Sequence, residues 1–269
     1  MRRLGYSGPI LEVGARRWRG GVVGDGVERV VEETPVALIY NGVPHVVMMA
    51  TPQDLEDFAL GFSLTEELIR TPADLRHVEV VRYSQGIELQ LAVAPECDEV
   101  IGARARRFTG RTGCGICGAD GVARVLKTVH QVPAGGVVAP AAIRAAVEGL
   151  AARQPLNEIA GAVHAAGWAG PDGAVALVRE DVGRHNALNK LVGAVRRAEL
   201  DPARGFVVVT SRASFEMVQK TATLGAPLLA AISGPTGLAV RVADASGLTL
   251  VGFARGDNLT VYTHPDRVG

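Results

Sequence analysis

The sequence predicts an α/β fold, α+β overall: a smaller N-terminal α+β unit, then a larger domain of layered sheet and helices. Three observations predict it. From about residue 135, short apolar runs alternate with helical patterns, as in a sheet with crossover helices. Before residue 108, apolar runs come in pairs around turn residues, as in hairpins. The composition, 48% hydrophobic and 21% charged over 269 residues, suits a soluble globular chain with a sizeable core.

Residues 1–30 are rich in Arg and Gly without a firm period, and read as an arm or edge element. A small α+β domain is expected over 31–108. Within it VALIYNGVPHVVMM is a hairpin around Asn41-Gly42, because both residues tolerate positive φ. A helix follows in TPQDLEDFALGFSLTEELI, with Thr51 or Asp54 as its cap and Leu55, Phe58, Ala59, Phe62 and Ile69 on one face. HVEVVRYSQGIELQLAV is a second hairpin, turning at Gln85-Gly86.

Residues 109–134 form a flexible loop and a short helix over Asp120–Val129, leading into the Gly/Pro joint VPAGGVVAP. The α/β domain, 135–269, opens with a helix over Pro140–Gln154, started by its proline. GAVHAAGW and AVALVRE are paired strands, and Arg184–Leu200 is helical. GFVVVTS is a buried strand, and SFEMVQKTATLG a helix with Phe215, Met217 and Leu224 against the sheet. PLLAAIS is a strand, Thr236–Ala245 a helix, LTLVGFA a strand, and TVYTHP follows.

Twenty-eight basic residues balance 28 acidic ones, so net charge draws the chain to neither nucleic acid nor membrane. No apolar run is long enough to span a bilayer, and the N-terminus reads as no secretory signal. Three cysteines cannot all pair internally, so a cytoplasmic location is expected.

Two of them, Cys114 and Cys117, sit in TGRTGCGICGADG among Gly110, Gly113, Gly115, Gly118 and Gly121. Structural zinc asks for a second pair of ligands. Cys97 stands apart, and the six histidines show no ligand spacing, so no metal is expected. A nucleobase deaminase pairs H-x-E with P-C-x-x-C. His77-Val78-Glu79 lies upstream, but no proline precedes Cys114 and HVEVVRYS reads as a strand. A thioredoxin-like dithiol belongs at a helix start after a strand, not on a loop between two units. A sulfur-relay thiol needs access, a lowered pKa and a tether, all of which the loop offers. Arg106, Arg107 and Arg111 are placed to favour a thiolate, with a solvated basic face as the alternative.

Three strand exits in the α/β domain are small and polar: Thr210-Ser211-Arg212, Ser233-Gly234-Pro235-Thr236 and Arg255-Gly256-Asp257-Asn258. Backbone amides at such exits, with helix N-termini behind two of them, suit phosphate oxygens. Arg212 and Arg255 are candidate phosphate clamps, and Asp257 a candidate acceptor from a guanine edge. Ordinary turn chemistry is the alternative. His185 is balanced between a site role and a structural hydrogen bond, and Lys220 reads as a surface lysine.

GRTGCGICG, EDVGRHNALNKLVG, TSRASFEMVQKTATLGAPLLAAISGPTGLAV and GFARGDNLTVYTHP together resemble the FdhD/NarQ family, from about Pro35 to the C-terminus. Residues 1–30 carry none of the resemblance. It implies a sulfurtransferase that accepts sulfur from a cysteine desulfurase. The sulfur is passed to the molybdenum cofactor, as bis(molybdopterin guanine dinucleotide), before insertion into formate dehydrogenase. It implies Cys114 as the persulfide carrier, with Cys117 assisting, and cofactor binding by Phe253, Ala254, Arg255, Gly256, Asp257 and Asn258. It further implies a cytidine-deaminase-like larger domain without the zinc signature, and homodimers. Asn189 departs from the family pattern, which has Asp there. The rival readings are a non-catalytic chaperone for cofactor and partner enzyme, and a zinc-stabilised interaction module.

Overall fold

The computed structural model describes residues 8–108 and 129–269, and its strands form three sheets. The first is a ribbon of β1 (Ile10–Arg19) and β2 (Val22–Val31). Gly20 and Gly21 join them at φ of 56° and 82°, a region that glycine enters without strain. The arm expected from the sequence is thus a hairpin of two ten-residue strands. Its period was hidden because charged and apolar residues share both faces.

The second sheet has the order β4-β3-β6-β5, built from β3 (Thr34–Tyr40), β4 (Val43–Ala50), β5 (Leu75–Tyr83) and β6 (Gly86–Val93). Its central pair, β3 and β6, runs parallel. Asn41-Gly42 turns the first hairpin as expected, with both residues at positive φ. The second turns one residue earlier, at Ser84-Gln85, and Gly86 opens β6. A side chain at Gly86 would strike the Pro35 carbonyl of β3. Helix α1 (Leu55–Thr65) covers the inner face. Of the two expected caps, Asp54 stands at the N-cap, left-handed and without a side-chain cap bond, and Thr51 is engaged with Asp181 and Lys190. Helix α2 (Asp98–Phe108) was not expected from the sequence.

The third sheet has the order β12-β11-β10-β9-β7-β8. Its strands are β7 (His164–Ala169), β8 (Val175–Asp181), β9 (Phe206–Val209), β10 (Leu228–Ala231), β11 (Thr249–Arg255) and β12 (Asn258–Val261). β9, β10 and β11 run parallel, flanked by antiparallel β7 and β12. Short strands buried on both faces are what FVVV and LLAA dictate. Phe206, Val208, Leu228 and Ala230 face helix α3 (Pro140–Ala151). Val207, Val209, Leu229 and Ala231 join the opposite cluster, with α5 (Arg184–Arg197), α6 (Phe215–Leu224) and α7 (Gly237–Ala245). The mixed α/β class is therefore as the sequence predicted. The single helix expected over 140–154 ends at Ala151, and a separate α4 (Pro155–Ala160) follows, because a residue before proline is biased out of the helical region.

The two larger sheets share one apolar cluster, from Val36 and Leu89 through Phe58 and Leu188 to Val207 and Leu250. α1 lies directly on α5 through two glycines. A side chain at Gly61 would collide with the Asn189 carbonyl, and one at Gly193 with that of Asp57. Asp57, buried at this crossing, is held by Arg179 at 2.7 Å and Arg197 at 2.8 Å.

Candidate functional site at the carboxyl edge of the six-stranded sheet

In an open α/β sheet, ligands gather beyond the carboxyl ends of the parallel strands. The backbone brings the expected exits together there. Ile232 N donates to Val209 O at 3.1 Å, Thr236 N to Ala213 O at 3.0 Å, and Phe253 N to Ser233 O at 3.3 Å. A bridge pairs Ala213 with Pro235. The N-terminal turns of α6 and α7 follow the first two exits directly, so their free N–H groups and dipoles favour an anion.

The individual side chains divide. Thr210 Oγ1 accepts from Ala165 N at 2.9 Å and ties β9 to β7. Ser211 is buried, its hydroxyl donating to the Arg212 carbonyl at 3.0 Å. Thr236 Oγ1 caps α7, accepting from Ala239 N at 3.2 Å. The Thr210 hydroxyl thus joins two strands, and those of Ser211 and Thr236 perform the turn and capping chemistry that stood as the alternative. Arg212, Arg255, Gly256, Asp257 and Asn258 are exposed. Arg255–Asn258 is not an open exit but a tight turn between β11 and β12, with Gly256 at φ 54°. Ala254 is buried in the cluster under α3.

Phe253 is the departure from regular structure. It sits inside β11 at φ 53° and is 41% exposed, next to a register shift between Gly252 and Arg255. Its ring lies over Gly234, close enough to exclude any side chain there. A left-handed bulky residue is costly and marks functional positions.

The segment Glu180–Lys190 reaches the same edge, because β8 is antiparallel to β7 and pairs Asp181 with His164. Most of it is structural. Glu180 accepts from Leu156 N at 3.0 Å and Asn157 N at 2.9 Å, fixing the start of α4, and burial raises its pKa. Asp181 and Lys190, both wholly buried, pair at 2.7 Å. Thr51 completes this network: its N–H donates to Asp181 at 3.0 Å and its carbonyl accepts from Lys190 at 2.9 Å. Asn186 donates to Met49 O at 2.8 Å. Asn189 accepts from Thr65 Oγ1 at 2.8 Å.

His185 is the residue of this segment turned to other company. Its Nε2 lies 3.1 Å from Glu216 of α6. Desolvation first, then Arg184 and Lys220, lower its pKa to about 3. The imidazole is therefore neutral at ordinary pH, and its contact with Glu216 is not an ion pair. His164 is lowered for the same first reason, with Arg184 adding to it. Arg184 Nε, Ser214 Oγ and Gln219 Nε2 are buried and find no hydrogen-bond partner among the described residues, a condition that calls for explanation in a native fold. Ser214 and Glu216 lay within the quoted motif TSRASFEMVQKTATLG without being singled out, and His164 lay in none; their shared signal was position, at the ends of strands that the sequence cannot order. Lys220 is a correction. It is buried and bonded to Thr65 Oγ1 at 3.0 Å and Glu66 at 2.9 Å, because α6 packs against α1 rather than solvent.

Cys114, Cys117, Arg111 and the helix expected over 120–129, but for Val129, lie outside the described residues, as do the side chains of Arg106 and Arg107. Cys97 is buried, and desolvation raises its thiol pKa, which makes it inert. His77 and Glu79 lie on β5, as the hairpin reading required. Among the described residues no helix is long and apolar enough to cross a membrane.

The family model for the FdhD/NarQ family matches residues 31–269. A protein of Bordetella petrii named sulfur carrier protein FdhD is 51% identical over 277 residues, covering 100% of this chain and 99% of that protein. One of the same name from Xanthomonas campestris pv. campestris is 52% identical over 253 residues, covering 94% of this chain and 90% of that one. The crystal structure of a putative formate dehydrogenase accessory protein from Desulfotalea psychrophila superposes with a TM-score of 0.76. It covers 97% of this chain and 99% of that chain at 24% identity, and so shares the fold.

Proposed function

Since the chain belongs to the FdhD/NarQ family, we propose that it is a sulfur carrier serving formate dehydrogenase maturation. The observation that carries this reading is the identity of about half, over the whole chain, to proteins named as sulfur carriers. The Cys114-Gly115-Ile116-Cys117 segment supplies the chemistry. The Cys114 thiolate attacks the outer sulfur of a cysteine desulfurase persulfide. A new S–S bond forms on Cys114, the old one breaks, and the desulfurase cysteine leaves as thiolate. Cys117 assists. The acceptor of the sulfur, written here as substrate, is the molybdenum cofactor in its bis(molybdopterin guanine dinucleotide) form.

The carboxyl edge suits such a substrate. Exposed Arg212 and Arg255, two helix N-termini and the close-packed Gly234 offer a cradle for phosphate oxygens. Exposed Asp257 offers an acceptor to guanine N–H groups. Neutral His185 adds a polar group that keeps its state across physiological pH. Holding persulfide and substrate on one protein replaces a rare bimolecular encounter.

The test is to incubate the chain with a cysteine desulfurase and cysteine, then weigh it. One reductant-sensitive sulfur atom is expected on the native chain and on Cys117→Ala, and none on Cys114→Ala. Loading of Cys114→Ala with loss in Cys117→Ala moves the carrier role to Cys117. No loading of the native chain, with guanine nucleotide still bound, leaves a cofactor chaperone.

A further inference from the structure

The outer face of the four-stranded sheet stands apart from everything the sulfur-carrier reading uses. Its inner face packs on α1, and α1 on α5, so a layer of helices lies between it and the six-stranded sheet. Strand register says which side chains the outer face presents. Val36, Leu38, Ile87 and Leu89 point into the core, so Pro35, Ala37 and Glu88, which alternate with them, point outward. Pairing puts Val47 opposite Ala37 and Val81 opposite Glu88, so Tyr83 shares their face. Beside the turn between β5 and β6, Pro35, Ala37, Val47, Tyr83 and Glu88 line a cleft of about 560 Å³, within the size range of ligand sites.

The cleft has a charged end, an aromatic wall and an apolar floor. Glu88 is oriented by two bonds to one oxygen: Gln90 Nε2 donates to Oε2 at 3.0 Å, and the Tyr83 hydroxyl to Oε2 at 3.3 Å. Oε1 keeps its acceptor capacity among the described residues. Glu79, opposite Gln90, is a second carboxylate on this face. Cations are missing from it. β3, β4 and β6 hold no Lys or Arg. Arg82 pairs with Ile87 and so lies on the opposite face, and Arg76 lies at the far end of β5. The local field is therefore negative, although the whole chain is neutral. The Tyr83 phenol registers that field: the charge of Glu88 first, then burial and the charge of Glu79, push its pKa up. Pro35 and Val47 are exposed, with Ala37 between them.

Such a cleft repels anions and suits a cation on an apolar stem. A guanidinium fits it better than an ammonium. It is planar and weakly hydrated, forks onto a carboxylate and stacks on an aromatic face, whereas an ammonium holds its water. The methylenes of an arginine suit the floor of Pro35, Ala37 and Val47. Free arginine would bring its own carboxylate, which no cation here would meet, whereas an arginine within a chain carries none. The cleft also has room for more than one side chain. We propose that it docks an arginine presented by an extended segment of a partner protein, with Glu88 taking the guanidinium N–H groups and Tyr83 its flat face. The contact is independent of sulfur carriage, and the thiols take no part in it.

The test titrates blocked short peptides of valine and threonine, each with one central residue, into the nitrogen-15-labelled full chain and follows its amide signals by NMR. With arginine at the centre, saturable shifts are expected at Ser84–Glu88 and at Ala37 and Val47. With citrulline, which keeps the shape and loses the charge, affinity should fall about tenfold or more, the loss of a charge-assisted contact. The lysine peptide and free arginine should both bind more weakly than the arginine peptide. Glu88→Gln should cost about as much as citrulline does. Tyr83→Phe, which keeps the ring, should retain most of the affinity, and Tyr83→Leu should lose it. Thermal midpoints and sulfur loading of all three variants should match the native chain, which separates a lost contact from a lost fold. Absence of shifts, shifts that map to another face, equal binding of the citrulline or lysine peptide, or binding indifferent to Glu88→Gln overturns the proposal and leaves the sulfur-carrier reading untouched.

Discussion

His185 is held neutral well below the pH at which water would charge it. Burial and the neighbouring Arg184 and Lys220 bring its pKa to about 3, against an unfolded value near 6.5. The unfolded chain therefore binds the proton first as pH falls. Stability present above about pH 6.5 is lost progressively down to about pH 3, at roughly 1.4 kcal/mol per pH unit. Denaturant titrations from pH 7 to 4 are expected to show a shallower acid loss for His185→Gln. An unchanged slope places the acid sensitivity elsewhere. At the same scale, Lys190 and Asp181 form a wholly buried pair. Lys190→Met is expected to cost about 3–5 kcal/mol by stranding the carboxylate, and Lys190→Met with Asp181→Asn distinctly less. Arg255 is exposed, so Arg255→Ala should leave stability alone. GDP affinity by calorimetry should fall about ten- to a hundredfold if it clamps phosphate.

The elements are fixed where one backbone must touch another. α1 and α5 approach through Gly61 and Gly193, whose missing side chains leave room for the opposing carbonyls. Gly61→Ala adds one methyl group and would force the helices apart, a change of the overpacking kind, about 1–3 kcal/mol or more. A drop in thermal midpoint of several degrees is expected. Gly102→Ala, where nothing stands within reach of a new side chain, should show none. The same reasoning explains Gly86, which was assigned to a turn by its type but serves instead to pass β3. Turn chemistry and close approach both favour glycine, and sequence alone does not separate them.

At the scale of the molecule, one apolar cluster joins the four-stranded and six-stranded sheets, with the Thr51–Asp181–Lys190 network across the junction. Both sheets should unfold in one cooperative transition. Hydrogen exchange in β3 and β6 is expected to share its denaturant dependence with β9 and β10. A separate, earlier opening of the four-stranded sheet would contradict the shared core. Binding gives the matching test of the carboxyl edge. GDP should bind and ADP less well, and equal binding removes the guanine assignment.

What the sequence determined by itself was the order and type of most elements, the α/β class, and the family. Those depend on local periods, on turn residues such as Asn41-Gly42 and on four ordered motifs. The tertiary structure decided which residues meet. Lys220 looked like a surface lysine because its neighbours, Thr65 and Glu66, lie more than 150 positions away. Thr51 looked like a helix cap until the chain brought Asp181 to it. The exits around Thr210, Ser233 and Arg255 were legible as polar loops. Only strand order placed them side by side, and added His185 and Glu216 to the same edge. Strand order is set by burial and hydrogen bonding across distant segments, which no local pattern encodes.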